Sequence, residues 1–122
     1  IARPGHRFYN KSSVKLKDLE GMDFTNRESG SETRRVFEEA MILSNTNINS
    51  LMEVGRVTMV QAVKENMGIG ILSEPEFDNY KDIKKIHISD YDVFTQAYLV
   101  CLKKKRNDNL IEAFINTAKK II

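Results

Sequence analysis

The sequence is poor in the residues that most often carry chemistry or covalent cross-links. It has one cysteine, Cys101, two histidines, His6 and His87, and no tryptophan in 122 residues. A single thiol excludes an internal disulfide framework and favours a reducing compartment. Cys101 lies in the apolar run 97–102, which predicts a small buried side chain. Neither histidine has a Cys, Asp or Glu at metal-ligand spacing, so we predict no metal site.

The chain also lacks a strong excess of one charge and any long apolar run. Its 19 Lys and Arg nearly balance 17 Asp and Glu, for a net charge of +2. A protein whose main partner is a nucleic-acid backbone is usually more basic. The basic cluster 103–106 contains no aromatic residue, as expected of a solvated strand end. No segment resembles a membrane span or an opening signal peptide, and we therefore expect a cytoplasmic location.

Motifs for catalysis and for cofactor binding are missing as well. The sequence contains no Gly-x-Ser-x-Gly elbow, no phosphate loop of the Walker type and no His-Glu-x-x-His pair. Gly68-Ile69-Gly70 is a lone Gly-x-Gly without the third glycine of a dinucleotide fingerprint. These absences predict a binding protein that is not an enzyme and needs no cofactor.

What is present is an alternation of strand-like and helical segments in one domain's worth of chain. Strands are predicted at 22–25, 51–54, 67–72, 83–88 and 94–102, and helices at 36–43, 57–65 and 110–122. Gly21 and Asn66 are expected to end helical turns in the left-handed conformation, and Asn107 or Asp108 to cap the last helix. The order is typical of βαβ units, which predicts an α/β fold with a mainly parallel sheet flanked by helices.

The stretch 26–35 joins the strand at 22–25 to the helix at 36–43. The first N–H groups of a helix lack intrahelical partners and lie at the positive end of its dipole, so a helix that begins after a polar turn favours an anion. The hydroxyl donors there are Ser29, Ser31 and Thr33, and the cations are Arg34 and Arg35.

The same stretch has a purely structural interpretation. Ser29 and Glu32 fit a capping box (Ser-x-x-Glu), which starts a helix without binding a ligand. The local residues leave both interpretations open.

Ligands of parallel sheets bind beyond the carboxyl ends of the strands. Three loops are predicted to meet at that edge, namely 28–33, 55–57 and 67–69. Glycine in a strand commonly marks a close approach of backbone or ligand, which gives Gly68 and Gly70 such a role.

Four segments, in this order, carry a resemblance to a known family. They are Val14-Lys-Leu-Lys-Asp-Leu-Glu-Gly21, Arg27-Glu-Ser-Gly-Ser-Glu-Thr-Arg34, the pair Gln61-Ala-Val63 and Gly68-Ile-Gly-Ile-Leu72, and Tyr98-Leu-Val100 followed by Phe114-Ile115. The ordered set resembles the effector-binding domain of LysR-type transcriptional regulators over nearly the whole chain.

The resemblance implies a two-lobed, Rossmann-like fold similar to type 2 periplasmic binding proteins, with the effector held between the lobes. Residues 14–93 would form the second lobe, and segments 1–13 and 94–122 would lead to a first lobe outside this chain. The DNA-binding helix-turn-helix domain would also lie upstream. The implied protein is a bacterial regulator that senses a small organic anion and controls transcription.

Carried onto this sequence, the resemblance implies a set of effector contacts on the loops named above. They are Ser29, Gly30, Ser31, Thr33, Arg34, Gly55, Arg56, Gly68 and Ile69.

Two other functions are compatible with such a fold. One is a solute-binding protein of a transport system, and the other is a catalytic domain that uses the same anion pocket. The apolar faces of 94–102 and 111–122 would lose part of their cover without a first lobe, so we expect self-association through them.

Overall fold

The structure, a computed structural model, describes residues 1–92 and 96–121. Its strands are β1 (Ser13–Val14), β2 (Asp23–Arg27), β3 (Asn49–Val54) and β4 (His87–Ile88). Its α-helices are α1 (Glu32–Leu43), α2 (Arg56–Lys64) and α3 (Asn109–Ile121). Single 3-10 turns lie at Leu16–Leu19, Glu74–Glu76 and Lys103–Lys105.

Both pairs of named strands are parallel, β2 with β3 and β1 with β4. Beyond them, Ile69 forms one parallel bridge to Phe24, and Ala2 forms one antiparallel bridge to Lys84. The parallel β2–α1–β3 unit and α2 confirm the predicted α/β class.

β2 holds the main core because its residues are almost wholly enclosed. Phe24 is 2% exposed and stacks on Phe37 of α1, with 5.5 Å between the ring centroids. Ala40 and Met41 complete the buried face of α1, whereas Leu43, which the helical pattern had placed with them, is exposed. A second cluster joins α2 to Ile83.

Two predicted helix ends adopt the expected conformation. Gly21, after the turn Leu16–Leu19, has φ +70°, and Asn66, after α2, has φ +65°. Both are in the left-handed region, which glycine adopts freely and asparagine tolerates.

The predicted strand at 67–72 is wrong, since within it only Ile69 forms a bridge. The expected close approach of backbones is nevertheless there. Gly68 has φ +82°, and a Cβ built on it would stand 2.5 Å from the carbonyl oxygen of Asp23. A Cβ on Gly70 would collide with the sulfur of Met59. Two glycines thus let this segment pass close to β2 on one side and to α2 on the other.

Two further strand predictions need correction. The strand predicted at 83–88 is confined to β4, because Ile83 turns into the core beside α2 instead of pairing. Of the strand predicted at 94–102, Phe94 and Thr95 lie outside the described residues, and 96–102 forms no strand. Its Tyr98 and Val100 are exposed, as is Cys101, which was predicted to be buried. Residues 99–102 line an open groove together with α3 and remain largely exposed.

The last helix forms as predicted, but its apolar face is only partly covered. The carboxylate of Asp108 accepts the N–H of Leu110 at 3.0 Å, so Asp108 caps α3. Leu110 and Phe114, one turn apart, are 80% and 62% exposed, and no described residue of α3 is buried. The predicted Ile122 lies outside the described residues.

Replacing Gly68 by alanine should destabilise the fold. The new Cβ would both press on the Asp23 carbonyl and force an L side chain into positive φ, at a cost of about 2 to 3 kcal/mol. Gly21→Ala is the matched control, because φ is also positive there but the space around the Cβ is open, so about 1 kcal/mol is expected. Urea unfolding of both variants measures the difference; equal losses would contradict the backbone contact.

Candidate functional site

The parallel pairing of β2 and β3 brings two helix starts to one edge. β2 ends at Arg27 and β3 at Val54, and α1 and α2 begin at Glu32 and Arg56. Two sets of unpaired helical N–H groups therefore lie at the carboxyl edge of the pair.

Ser31, and not Ser29, caps α1. Its Oγ accepts the backbone N–H of Arg34 at 3.3 Å, and its backbone is extended. The predicted capping box of Ser29 and Glu32 is wrong, because β2 continues to Arg27 and leaves Ser29 and Gly30 to form the turn. Gly30 makes that turn with φ +89°.

The third predicted loop lies elsewhere. Ile69 is bridged to Phe24 near the amino end of β2, and Gly68 touches Asp23, the first residue of that strand. The chain then runs parallel to β2, so that Ser73 and Glu76 reach the carboxyl edge instead. The prediction that loop 67–69 joins the other two loops is therefore wrong. This loop lies at the amino end of β2, whereas the other two loops lie at the carboxyl edge.

Glu76 connects three elements at this edge. One carboxylate oxygen accepts from Arg27 Nη1 at 2.9 Å, and the other accepts from Thr33 Oγ1 at 3.0 Å and from the Ser73 N–H at 2.9 Å. The Arg27 side chain is 8% exposed and that of Glu76 is 20% exposed. Burial alone would raise the pKa of Glu76, but the bonds from Ser73, Arg27 and Thr33 outweigh it and lower the pKa to about 2.

Arg34 is committed to protein groups. Its guanidinium donates to Glu38 at 2.7 Å, to the carbonyl of Arg27 at 2.9 Å and to Glu53 at 2.9 Å. The hydrogen bonds to Glu53 and Glu38 raise the pKa of Arg34. Arg34 therefore ties the first turn of α1 to the ends of β2 and β3.

Each arginine of the stretch 26–35 forms ion pairs with two carboxylates. Arg27 pairs with Glu28 and Glu76, Arg34 with Glu38 and Glu53, and Arg35 with Glu32 and Glu39; this pairing accounts for all their ion pairs among the described residues. Each group has one positive and two negative charges. The stretch that looked cationic in sequence is thus neutralised in the fold.

Arg56 is different. It is the first residue of α2, it is exposed, and no carboxylate of the described residues lies within 4 Å of it. It adds a cation to the amino terminus of a helix at the carboxyl edge of the sheet.

A cleft of about 700 Å³ opens beside this edge. Its polar lining comes from Thr33 and Ser73 next to the edge and from other side chains that include Glu74, Lys85 and Asp92, and most of the remaining wall is apolar. The apolar lining comes from α1, the segment after Ile69 and β4, for example Val36, Ile71 and Ile88. A ligand with an acid group and a small carbon body would match both parts.

Most of the predicted site residues meet at this edge. Those on the two helix starts are Ser29, Gly30, Ser31, Thr33, Arg34, Gly55 and Arg56, whereas Gly68 and Ile69 lie toward the amino end of β2. Sequence reasoning missed Arg27, Ser73 and Glu76. The signal for the last two was available, because Ser73-Glu-Pro-Glu76 has the form of a capping box with proline at its start, and the structure contains that box.

Among residues 1–92 and 96–121, no cluster of three His, Cys, Asp or Glu side chains has the geometry to hold a metal ion. Likewise, no described helix has the length and apolar character needed to cross a membrane.

Residues 1–121 match the family of the LysR substrate binding domain. The chain belongs to this family. It is 30% identical over 128 residues to an uncharacterised HTH-type transcriptional regulator of Methanocaldococcus jannaschii, covering 99% of this chain and 43% of that protein. The match confirms the resemblance seen in the ordered segments.

A solved structure has the same fold. The regulatory domain of CcmR from Synechocystis, determined in complex with 2-PG, superposes with a TM-score of 0.75 at 19% identity, covering 98% of this chain and 60% of that one. This chain therefore spans less than half of the regulator and about three fifths of the regulatory domain that it resembles.

The Glu76 contacts predict a loss of stability in acid. Because its pKa in the folded protein is below the ordinary value, the carboxylate stabilises the fold above about pH 4.5, and that contribution disappears as the pH falls toward about 2. Unfolding by urea between pH 5 and pH 2.5 should show wild type losing about 2 kcal/mol more than Glu76→Gln, allowing for partial exposure. Glu74→Gln, which removes a neighbouring exposed carboxylate, should retain the wild-type pH dependence.

Proposed function

We propose that this chain is the ligand-sensing part of a transcriptional regulator and that it binds a small organic anion at the carboxyl edge of β2 and β3. The observation that carries the proposal is the meeting of two helix starts, α1 and α2, at this edge, where the first turn of α1 also lines a cleft of about 700 Å³. Unpaired helical N–H groups favour negative charge, and the cleft has room for a small ligand. The complex of the CcmR domain with 2-PG supports an anion as the ligand class.

The ligand would act by shifting a conformational equilibrium. If an anion binds one arrangement of the domain better than another, it changes how often each is populated, and a DNA-binding domain attached to it senses the change. In this proposal residues 14–93 form one lobe, segments 1–13 and 94–122 lead to another, and a helix-turn-helix domain lies in a further part of a longer protein. Such a regulator works in the cytoplasm.

The similarity to the Methanocaldococcus jannaschii protein favours regulation over transport or catalysis. Its name identifies an HTH-type transcriptional regulator, and it aligns with 99% of this chain. To prefer a solute-binding protein or an enzyme, we would need a specific structural feature in favour of that function. Among the described residues the polar groups at the edge form ion pairs and caps, not an ordered nucleophile and base.

Arg56 is the side chain that we expect to meet the anion first. Arg56→Gln should weaken the binding of 2-phosphoglycolate about 5- to 20-fold, because one charge-assisted hydrogen bond is lost. Amide NMR shifts should locate the ligand at residues 29–34, 55–57 and 73–76, and calorimetry should give the affinity. Arg106→Gln, which removes the same charge from the exposed turn before α3, is the control. If both variants bind alike, or if the shifts lie elsewhere, the site is wrongly assigned.

We also propose that the chain associates with itself through α3. Leu110, Phe114 and Ile121 are between 62% and 80% exposed and share the apolar side of the helix. Together with Leu99 and Leu102 they make an apolar surface of a kind that proteins seldom leave bare.

Sedimentation velocity tests this association. Wild type should show a dimer or larger species whose fraction rises with concentration, and Leu110→Ser with Phe114→Ser should shift it to monomer. Asn116→Ala, on the polar side of the same helix, should leave the distribution unchanged. A wild type that stays monomeric at millimolar concentration would contradict the proposal.

A further inference from the structure

The carboxylate of Glu76 already occupies the donors that an anion would use. Thr33 Oγ1 and the Ser73 N–H both donate to its Oε2, at 3.0 and 2.9 Å. Both residues also line the cleft. Thr33 belongs to the first turn of α1, and the donors therefore come from two separate parts of the chain.

The charges at this point do not favour an additional anion. Arg27 faces two carboxylates, those of Glu28 and Glu76, and both are within 3.0 Å of its nitrogens. A further acid group placed beside them would add a third negative charge to one positive charge. Like charges at such distances repel, and a partly buried site screens them weakly. Binding is therefore favourable only if one of the two carboxylates leaves.

We propose that Glu76 is a tethered internal carboxylate that holds the anion position closed, and that the acid group of the effector displaces it to bind the Thr33 hydroxyl and the Ser73 amide. This inference rests on the proposed function and adds how the site is regulated. The ligand chemistry that it requires is a carboxylate or phosphate, whose oxygens accept from two or three donors as those of Glu76 do.

Glu76 is better suited to leave than Glu28. It lies in a 3-10 turn of only three residues, Glu74–Glu76, next to solvent, and no residue of that turn is buried. When it departs, Glu28 still pairs with Arg27 Nε at 3.0 Å, so the guanidinium keeps one partner while its Nη1 becomes available to the ligand. A buried arginine without any partner would have made displacement costly.

Displacement would also move the chain. The capping box of Ser73 and Glu76 holds the turn Glu74–Glu76 in place, and Phe77, which follows it, lines the cleft. Loss of the Glu76 contacts frees this turn from Arg27 and Thr33. Ligand binding would thereby change the position of the turn and of the cleft wall. The ligand would then make different contacts in the two conformations, as a conformational signal requires.

The test compares Glu76→Gln with Asp78→Asn. Both remove one negative charge from the same segment, but Asp78 is exposed and is not among the described residues that line the cleft or contact Arg27 or Thr33. Calorimetry at pH 7 with 2-phosphoglycolate, and separately with acetate, should show Glu76→Gln binding about tenfold or more tighter than wild type, because the competing charge is gone. Asp78→Asn should differ from wild type less than about threefold, as expected of an exposed charge.

The outcomes separate the inference from the function on which it rests. Tighter binding confined to Glu76→Gln supports displacement. Equal binding by wild type and both variants, or an equal gain in both, overturns it and leaves anion binding standing. Binding by none of the three proteins overturns both.

If Glu76→Gln does not fold, a measurement on the wild-type protein tests the same inference. The pKa of Glu76, followed by carboxyl ¹³C NMR, should rise by about one unit or more when 2-phosphoglycolate saturates the site, since the carboxylate loses its donors. An unchanged pKa in the saturated protein would show that Glu76 stays in place and would overturn the inference.

Discussion

The parallel pairing of β2 with β3 is the constraint on which the rest of this structure depends. Because the two strands run the same way, the helices that follow them begin at the same edge, and their free N–H groups collect there. The burial of β2 fixes this arrangement, since Phe24 and Thr25 lie in the core and Arg27 ends the strand below the surface. The position of the candidate site is thus a consequence of strand direction and burial.

Acidic side chains set the electrostatic character of that edge. Arg27, Arg34 and Arg35 would make a strongly positive loop if they stood free, yet each is held by two carboxylates. Arg34 in particular serves as a brace between α1, β2 and β3. The edge is therefore held together by ion pairs within the protein, and in our proposal the affinity for an anion depends on the displacement of Glu76. Arg56 alone of the edge arginines has no such partner among the described residues.

The uneven burial of the chain fits its place in the family. Residues of β2, α1 and α2 form two closed clusters, whereas α3 and the segment before it present apolar side chains to solvent. A helix that is strongly amphipathic yet unburied needs another surface to lie against. The alignment covers only part of each relative, and the exposed face lies at the end of the described unit.

The sequence by itself determined the fold class, the three helices, the main strands and the polar turn before α1, because these follow from local periodicity and backbone preference. It also placed Gly21 and Asn66 correctly in positive φ, a property of single residues. Only the tertiary structure decided that Gly68 lies by Asp23, that Glu76 reaches Arg27, and that segment 96–102 forms no strand. Those outcomes depend on contacts between residues far apart in sequence, and neither the register of a segment nor the partner of a charge is encoded by the residues next to it.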